Sequence, residues 1–343
     1  MTNFKVLSRT LATLSVLMAM LTNSVATAAT AATAATRGAE RATSAADAAS
    51  ATSRIESIRA RFADAGAGVI VVAHRGCHSP SPRQGLPSAP ENSLAALDHC
   101  VKLGVDVMET DVRRAADGNL VILHDDTLER TTDGSGKVSE KTLADLRGLR
   151  LREDVGGATA PLTDQRIVTL DEMLAHARGR IVLNLDIKDP IYSEVIDAVI
   201  RAGAQREVIL KTIAGIASPP LASVTPFDRV PFMPILINAK GKADLAAIAA
   251  GQLAGAKPVA IELPRMTSDQ LPAVASVAGK HGVRLMINTI GEGFLAGVGG
   301  DADALRDPDR VWGKLSRAGV SIFQTDEPAA LIIFLTDRKR KSS

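Results

Sequence analysis

Two histidines directly follow short apolar runs, where parallel strands would deliver them to one edge of a sheet. His74 comes after residues 68–73, and His124 comes after residues 120–123. A pair of histidines on opposite sides of a reacting group can serve as general base and general acid near neutral pH. The other four histidines have ordinary interpretations as loop or helix-surface residues: His78, His99, His176 and His281.

Three acidic side chains are expected at the same edge. Glu109 and Asp111 are two residues apart in one apolar run, so both point to one face of a strand, and Asp186 ends a later run. Converging carboxylates suit a hard cation such as Ca²⁺ or Mg²⁺, with Mn²⁺ as a further candidate. The alternative is ion pairing with Arg75 and Lys188, two cations that could instead bind phosphate oxygens. Together these side chains predict metal-assisted phosphoryl chemistry on a small-molecule substrate.

The composition excludes several other classes of protein. The chain has 343 residues, of which 46% are hydrophobic and 3% aromatic, and its formal charge is +2. These values are typical of a globular protein. The scarcity of aromatic side chains and the near-neutral charge argue against a nucleic-acid partner.

Apolar runs alternate with helix-like stretches, which indicates βαβ units and a parallel sheet. The nine runs cover residues 68–73, 105–112, 120–123, 181–187, 208–210, 232–237, 259–263, 283–287 and 320–323. The link between the second and third runs contains Asp117-Gly118 and is too short for a parallel crossover, so the third run should return antiparallel. The remaining eight strands predict a (β/α)8 TIM barrel with a small insertion at about residues 126–166. A doubly wound sheet is less favoured because no glycine-rich phosphate loop follows the first run.

The first residues are typical of a secretory signal peptide, with an apolar run over 11–21 and a small-residue cleavage pattern at 26–28. The run is too short to span a membrane, so we expect cleavage, no stable membrane span and a periplasmic or extracellular location; a retained anchor is the alternative. Such a compartment permits, without establishing, a disulfide between Cys77 and Cys100. The predicted organisation is a signal peptide (1–28), an Ala/Thr/Ser-rich linker (29–54), a catalytic barrel (55–336) and a basic tail (337–343).

Several short motifs resemble those of the glycerophosphodiester phosphodiesterase family in order and spacing. They are His74-Arg75-Gly76, Pro90-Glu91-Asn92-Ser93, Glu109-Thr110-Asp111, His124-Asp125, Arg130-Thr131-Thr132, Thr169-Leu170-Asp171-Glu172, Asp186-Ile187-Lys188 and Thr325-Asp326. The resemblance implies a TIM barrel with a small insertion after the second strand. It implies that His74 and His124 are the acid–base pair. It also implies a divalent cation, and the candidate ligands are Glu109, Asp111 and Asp186, with His124 and Glu91 as further candidates.

The later motifs depart from the family pattern. Asp186 stands where the family usually has Glu, Lys211-Thr212 replaces a Ser-Phe pair on the fourth strand, and residues 286–289 replace a Trp-Thr-x-Asn run on the seventh. These last two positions help to form the pocket around the alcohol groups, so the departures bear on substrate choice more than on reaction type.

We therefore predict a secreted, metal-dependent enzyme that hydrolyses a glycerophosphodiester to an alcohol and sn-glycerol 3-phosphate. One alternative is a phospholipase D-like or phosphatidylinositol lyase-like phosphodiesterase that forms a cyclic phosphate. The other is a non-catalytic barrel that only binds its ligand.

Overall fold

The computed structural model describes residues 54–238, 243–291 and 295–342. The predicted signal peptide (1–28) lies outside these residues, and so does the predicted linker (29–54) apart from Arg54. The described residues from Arg54 onward form one compact unit.

In the described chain, eight parallel strands close into a barrel, which confirms the predicted fold. The strands in chain order are β1 (Ile70–Ala73), β2 (Val107–Arg114), β3 (Leu120–Ile122), β4 (Arg150–Arg152), β5 (Leu162–Arg166), β6 (Val182–Ile187), β7 (Val208–Ile213), β8 (Phe232–Ile237), β9 (Ala260–Thr267), β10 (Arg284–Asn288), β11 (Leu295–Ala296) and β12 (Val320–Thr325). The barrel closes because β1 pairs in parallel with both β2 and β12. Between them, β6 to β10 follow β2 around the barrel in chain order, and β11 adds a short parallel pairing to the end of β9.

Helices separate the barrel strands and cover their outer faces. They are α1 (54–63), α2 (Leu94–Leu103), α3 (Leu143–Arg147), α4 (Leu170–Ala177), α5 (Tyr192–Arg201), α6 (Leu245–Gln252), α7 (Leu271–Lys280), α8 (Asp301–Arg306), α9 (Lys314–Arg317) and α10 (Pro328–Ser342). A π-helical turn, Asp309–Gly313, leads into α9. None of the helices in the described residues is long and apolar enough to cross a membrane.

The strands form where the sequence offers apolar residues that can be buried on both faces. All four residues of β1 are buried, as expected for a parallel strand between the barrel interior and the surrounding helices. Side-chain caps then fix where helices begin: Ser93 Oγ accepts a hydrogen bond from the Ala96 amide at 3.1 Å and starts α2. This cap places the start of α2 immediately after Glu91 and Asn92.

The second and third strands form the predicted antiparallel hairpin, with Val112 opposite Ile122. The chain between β3 and α4 then leaves the barrel, and it contains α3 and the antiparallel pair β4–β5. Its apolar side chains form a small core of their own that includes Leu128, Val138 and Leu146. This segment corresponds to the insertion expected at about residues 126–166.

Helix α1 seals the amino-terminal end of the barrel. Ile55 and Ile58 of α1 are 3% exposed and pack in one cluster with interior residues of the barrel strands. Those interior residues are Ile70, Val72, Val107, Val182, Ile209, Met233, Ala260, Met286 and Ile322. Because α1 and this apolar cluster cover the amino-terminal end of the barrel interior, the interior opens at the carboxyl ends of the strands.

The predicted basic tail (337–343) is not a separate segment, because α10 continues as far as Ser342. No Gly or Pro follows Pro328 in this stretch, so nothing in the sequence ends the helix earlier. Arg338 stacks over the Phe334 ring at 5.4 Å and lies 3.6 Å from Asp309, which ties the first basic residue to the domain.

A disulfide joins Cys77 to Cys100, with 5.1 Å between their Cα atoms. It links the loop after β1 to α2, next to Gly76, where the backbone has a φ of +88°. A Cβ at Gly76 would lie 2.8 Å from Ala96 Cβ and 2.9 Å from Met108 Cε, so only glycine allows the loop to approach α2 this closely.

We expect the Cys77→Ser/Cys100→Ser variant to lose about 3 kcal/mol of unfolding free energy, because the crosslink restricts the unfolded chain. Urea denaturation of the oxidised wild type, the reduced wild type and the variant measures this loss. The reduced wild type should match the variant, and addition of reductant to the variant should change nothing. Equal midpoints for the oxidised and reduced wild type would contradict a stabilising crosslink.

Candidate active site

A cavity of about 640 Å³ opens at the carboxyl ends of the barrel strands. It is lined by six residues that the sequence singled out: His74, Arg75, Glu109, His124, Asp186 and Lys188. Parallel strands end at the same edge of a barrel, so side chains far apart in sequence meet there. Asp111 and Glu91, the remaining predicted residues, lie directly behind this lining in contact with Arg75.

Glu109, Asp111 and Asp186 converge into one carboxylate cluster, called the acidic triad below. One oxygen from each lies within 4.8 Å of the others. The parallel register of β2 and β6 sets Asp111 opposite Asp186, while Glu109 points the same way two residues earlier. Burying this much negative charge is costly without positive partners. An all-oxygen donor set suits a hard divalent cation, so the residues present fit the Ca²⁺ or Mg²⁺ that the sequence implies.

The two acids of β2 have opposite pKa shifts. Burial, reinforced by the negative charge of Asp111, raises the pKa of Glu109 to about 7. Burial acts on Asp111 in the same direction, but Lys188, His124 and Arg75 overcome it and hold the pKa of Asp111 well below its usual range. Asp111 is therefore negatively charged at neutral pH. Glu109 needs a further positive charge, such as a bound cation, to ionise fully.

Asn92 positions Asp111 and was not among the predicted site residues. Its Nδ2 donates to Asp111 Oδ2 at 2.7 Å, and its Oδ1 accepts from Thr110 Oγ1 at 2.7 Å and from the Asp111 amide at 3.1 Å. Asn92 has a φ of +57°, a left-handed conformation that Asn tolerates better than most residues. The Pro90-Glu91-Asn92-Ser93 motif contained this residue, but its contact with Asp111 exists only once β2 lies beside it.

Each of the two predicted histidines has a carboxylate behind its Nδ1. His74 Nδ1 lies 2.8 Å from Asp326 Oδ1, and His124 Nδ1 lies 2.7 Å from Asp125 Oδ1. A proton on Nδ1 that is directed at a carboxylate leaves Nε2 as the nitrogen that can exchange a proton in the cavity. Burial lowers the pKa of His124, so this ring is mostly neutral near pH 7.

Glu91 holds two arginines and lies outside the acidic triad. Arg130 donates to both Glu91 oxygens, at 2.8 and 2.9 Å, and Arg75 Nη1 donates to Glu91 Oε2 at 3.0 Å. Arg130 also donates to both oxygens of Asp125 at 2.7 Å, which fixes the carboxylate behind His124. The structure therefore gives Glu91 an ion-pairing position rather than a place beside the three candidate ligands.

The two predicted phosphate-binding cations lie against the acidic triad. Lys188 Nζ is 3.0 Å from Asp111 Oδ1 and 3.0 Å from Asp186 Oδ2. Arg75 has a φ of +53°, which directs its backbone amide to Glu109 Oε2 at 3.0 Å. A non-glycine residue in this conformation is costly, and such strain persists mainly where the surrounding structure enforces it, often at functional sites.

His78 is not the ordinary loop residue that its sequence position suggested. It is 2% exposed, with Nδ1 at 2.5 Å from Asp154 Oδ1 and Nε2 at 3.2 Å from Asp326 Oδ1. Burial opposes a charge on His78, but the two carboxylates prevail and raise its pKa to about 9. Asp326 is also buried, yet its hydrogen bonds to His74 and His78 lower its pKa to about 2. His78 thus helps to hold the carboxylate that orients His74.

The second half of the barrel contributes a buried polar floor to the cavity. Four residues that line the cavity, Lys211, Glu262, Asn288 and Gln324, are 2–4% exposed. Sequence reasoning noted the segments that contain Lys211 and Asn288 only as departures from a family pattern, and it did not identify Glu262 or Gln324. For Lys211 and Glu262 the available signal was a charged residue within an apolar stretch of strand, whereas Asn288 and Gln324 carry no charge.

These features define a TIM-barrel protein. At the carboxyl ends of its strands it holds two histidines, two cationic side chains (Arg75 and Lys188) and the acidic triad. Residues 74–223 match the model of the glycerophosphoryl diester phosphodiesterase family. This match covers less than half of the chain and confirms the resemblance seen in the motifs. Residues 232–335 match a second family model, described as a domain of unknown function.

Individual relatives agree over part of the chain. A glycerophosphodiester phosphodiesterase of Caldanaerobacter subterraneus is 34% identical over 127 residues, which are 36% of this chain and 46% of that protein. The chain spans less than half the length of the curated relatives it matches.

Solved structures share the fold over most of the chain. A glycerophosphoryl diester phosphodiesterase of Parabacteroides distasonis aligns with 83% of this chain and 92% of its own, at 23% identity and a TM-score of 0.62. A phosphodiesterase of Oleispira antarctica, solved in complex with the product sn-glycerol-3-phosphate, aligns with 79% of this chain and 97% of its own, at 21% identity and a TM-score of 0.53.

Proposed function

We propose that this protein hydrolyses a glycerophosphodiester to an alcohol and sn-glycerol 3-phosphate in a reaction that depends on Ca²⁺ or Mg²⁺. One observation carries the proposal: His74 and His124, each with a carboxylate behind Nδ1, line the same cavity as Glu109 and Asp186 of the acidic triad. The names of the relatives and the product bound to the Oleispira antarctica phosphodiesterase support the same reaction class.

Each of the two histidines carries out one of the two proton transfers. His124, whose pKa is lowered by burial, accepts a proton at Nε2 from the attacking group, which is water or the neighbouring glycerol hydroxyl. His74 donates a proton from Nε2 to the oxygen of the leaving alcohol as the phosphorus–oxygen bond breaks. Asp125 and Asp326 keep the Nδ1 proton of each ring in place, so both Nε2 atoms stay directed at the reacting group.

Two cations stabilise the negative charge that develops on the phosphate. Arg75 presents a planar fork to two non-bridging oxygens, and Lys188 acts as a point charge beside it. A divalent cation on Glu109, Asp111 and Asp186 would polarise the phosphate. Glu91 and Asp111 hold the Arg75 guanidinium before the substrate arrives, so little reorganisation is needed.

We expect the purified protein to release sn-glycerol 3-phosphate from glycerophosphocholine. EDTA should abolish this activity, and added Ca²⁺, Mg²⁺ or Mn²⁺ should restore it. His74→Ala and His124→Ala should each lower kcat by at least about 100-fold, because each removes one proton transfer. ³¹P NMR of the products measures both effects. His281→Ala, which changes an exposed histidine at the carboxyl end of α7, is the matched control and should keep wild-type turnover.

The outcomes separate this function from its alternatives. Wild-type rates in either site variant would refute the acid–base assignment. A cyclic phosphate as the final product would favour the lyase-like reaction. Binding of substrate without turnover under any ion would favour the non-catalytic barrel.

The pH dependence follows from the lowered pKa of His124. Its base form persists to lower pH than that of an ordinary histidine, so kcat/KM at saturating Mg²⁺ should fall only below about pH 6.5. The carboxylate of Asp125 favours the protonated ring, so Asp125→Asn should move this acidic limb to still lower pH while reducing the maximal rate. Initial rates between about pH 4.5 and about pH 8, a range that spans the ordinary histidine value, measure this limb. A midpoint above the ordinary value, or no displacement in Asp125→Asn, would contradict the assignment of His124 as the base.

We also propose that the protein acts in the periplasm or outside the cell. The disulfide between Cys77 and Cys100 supports this location, because such bonds persist in oxidising compartments. The apolar run and cleavage pattern before residue 29 support it independently. Cell fractionation should recover the protein outside the cytoplasm with a mass reduced by loss of residues 1–28; a full-length cytoplasmic product would contradict export.

A further inference from the structure

Lys211 places a positive charge against the acidic triad from the floor of the cavity. Its Nζ is 3.7 Å from Glu109 Oε1, 3.7 Å from Asp186 Oδ2 and 3.3 Å from Glu262 Oε2. Lys211 and Glu262 are each 2% exposed, so bulk water screens neither charge. Two of the three carboxylates that would hold a divalent cation therefore already face an ammonium group.

Glu262 is a further carboxylate partner of this ammonium group and already lies nearest to it, at 3.3 Å. Asn288 Nδ2 donates to Glu262 Oε1 at 3.1 Å, which fixes the carboxylate, while Glu262 Oε2 makes no hydrogen bond and faces Lys211. Lys211 lies on β7, with the acidic triad on β2 and β6 to one side and Glu262 on β9 to the other. The flexible four-carbon stem of a lysine can move between such neighbours without any change in the backbone.

We propose that Lys211 is a resident cation that competes with the divalent cation for Glu109 and Asp186, and that Glu262 holds its ammonium group once the divalent cation is bound. This inference rests on the metal dependence proposed above. Lys211 stabilises the acidic triad when no divalent cation is bound, and it weakens the binding of that cation. Glu262 limits this weakening because it offsets the charge of the lysine.

The arrangement predicts effects of opposite sign for two neighbouring neutral substitutions. Lys211→Gln removes a positive charge near two ligands, so the divalent cation should bind at least about tenfold more tightly. Glu262→Gln leaves the lysine without its second partner, so binding should become at least about tenfold weaker. The double variant restores the balance of charge and should bind within about threefold of the wild type.

The test is calorimetric titration of Mn²⁺ and Ca²⁺ into the EDTA-treated, dialysed full chain, with the fold of each variant checked by circular dichroism. Lys257→Gln is the matched control, since it removes an exposed positive charge near α1 at the opposite end of the barrel and should leave the Kd unchanged. Thermal unfolding gives a second readout: Lys211→Gln should have a lower Tm than the wild type without divalent cation, and excess Mn²⁺ should remove that difference. Lys211→Met, neutral and similar in length, repeats the test if Lys211→Gln fails to fold.

Each outcome decides the inference. Unchanged affinities in both single variants would overturn it, and so would weaker binding in both, which indicates a structural role only. If the wild type binds no divalent cation but Lys211→Gln does, the competition is supported and the proposed metal dependence is not. If neither binds, both proposals fail.

Discussion

Negative charge buried at the mouth of the barrel is the constraint on which the rest of the site depends. Glu109 and Asp111 are each 1% exposed, and such carboxylates are tolerated only with positive charge close by. The fold supplies that charge from separate strands, through Lys188 at the end of β6 and Lys211 on β7. Because each lysine contacts more than one carboxylate, loss of either lysine would leave buried negative charge uncompensated. The strand ends are therefore coupled electrostatically, although no two of these side chains are adjacent in sequence.

Hydrogen bonds hold the backbone around these charges in conformations that its residues do not intrinsically prefer. Among the described residues, the non-glycine positions with positive φ are Arg75, Asn92 and Asp154. They form a chain of contacts: the Asn92 amide donates to Arg75 O at 2.8 Å, and the Glu91 amide donates to Asp154 O at 2.9 Å. Costly conformations persist where neighbouring contacts over-determine them. The Cys77–Cys100 disulfide and the cap of α2 border the same segment, so several contacts constrain the part of the chain that presents Arg75.

The sequence sufficed for the features that depend on local pattern. The apolar runs predicted the strands, and the short Asp117-Gly118 link predicted the hairpin. The two-residue spacing of Glu109 and Asp111 predicted that both side chains lie on one face of a strand. Features that depend on which strands are neighbours could not be predicted. The pair Lys211–Glu262 spans β7 to β9, and His78 is buried only because Asp154 and Asp326 come from distant segments. A lone histidine in a loop and a lone lysine in a strand carry no local signal that names these partners.

The boundary between the two family matches does not separate the site, because both matched regions contribute residues to it. Residues 74–223 contain every side chain proposed here for proton transfer, phosphate binding and cation binding, whereas residues 232–335 match a family of unknown function. Yet Asp326, at the end of β12, orients His74, and Glu262, on β9, faces Lys211. A barrel closes the last strand onto the first, so the second half is in direct contact with the first histidine. Substitutions in the second half can therefore change both the shape of the pocket and the protonation geometry of the first half. Substrate choice and reaction chemistry are not separable by domain in this protein.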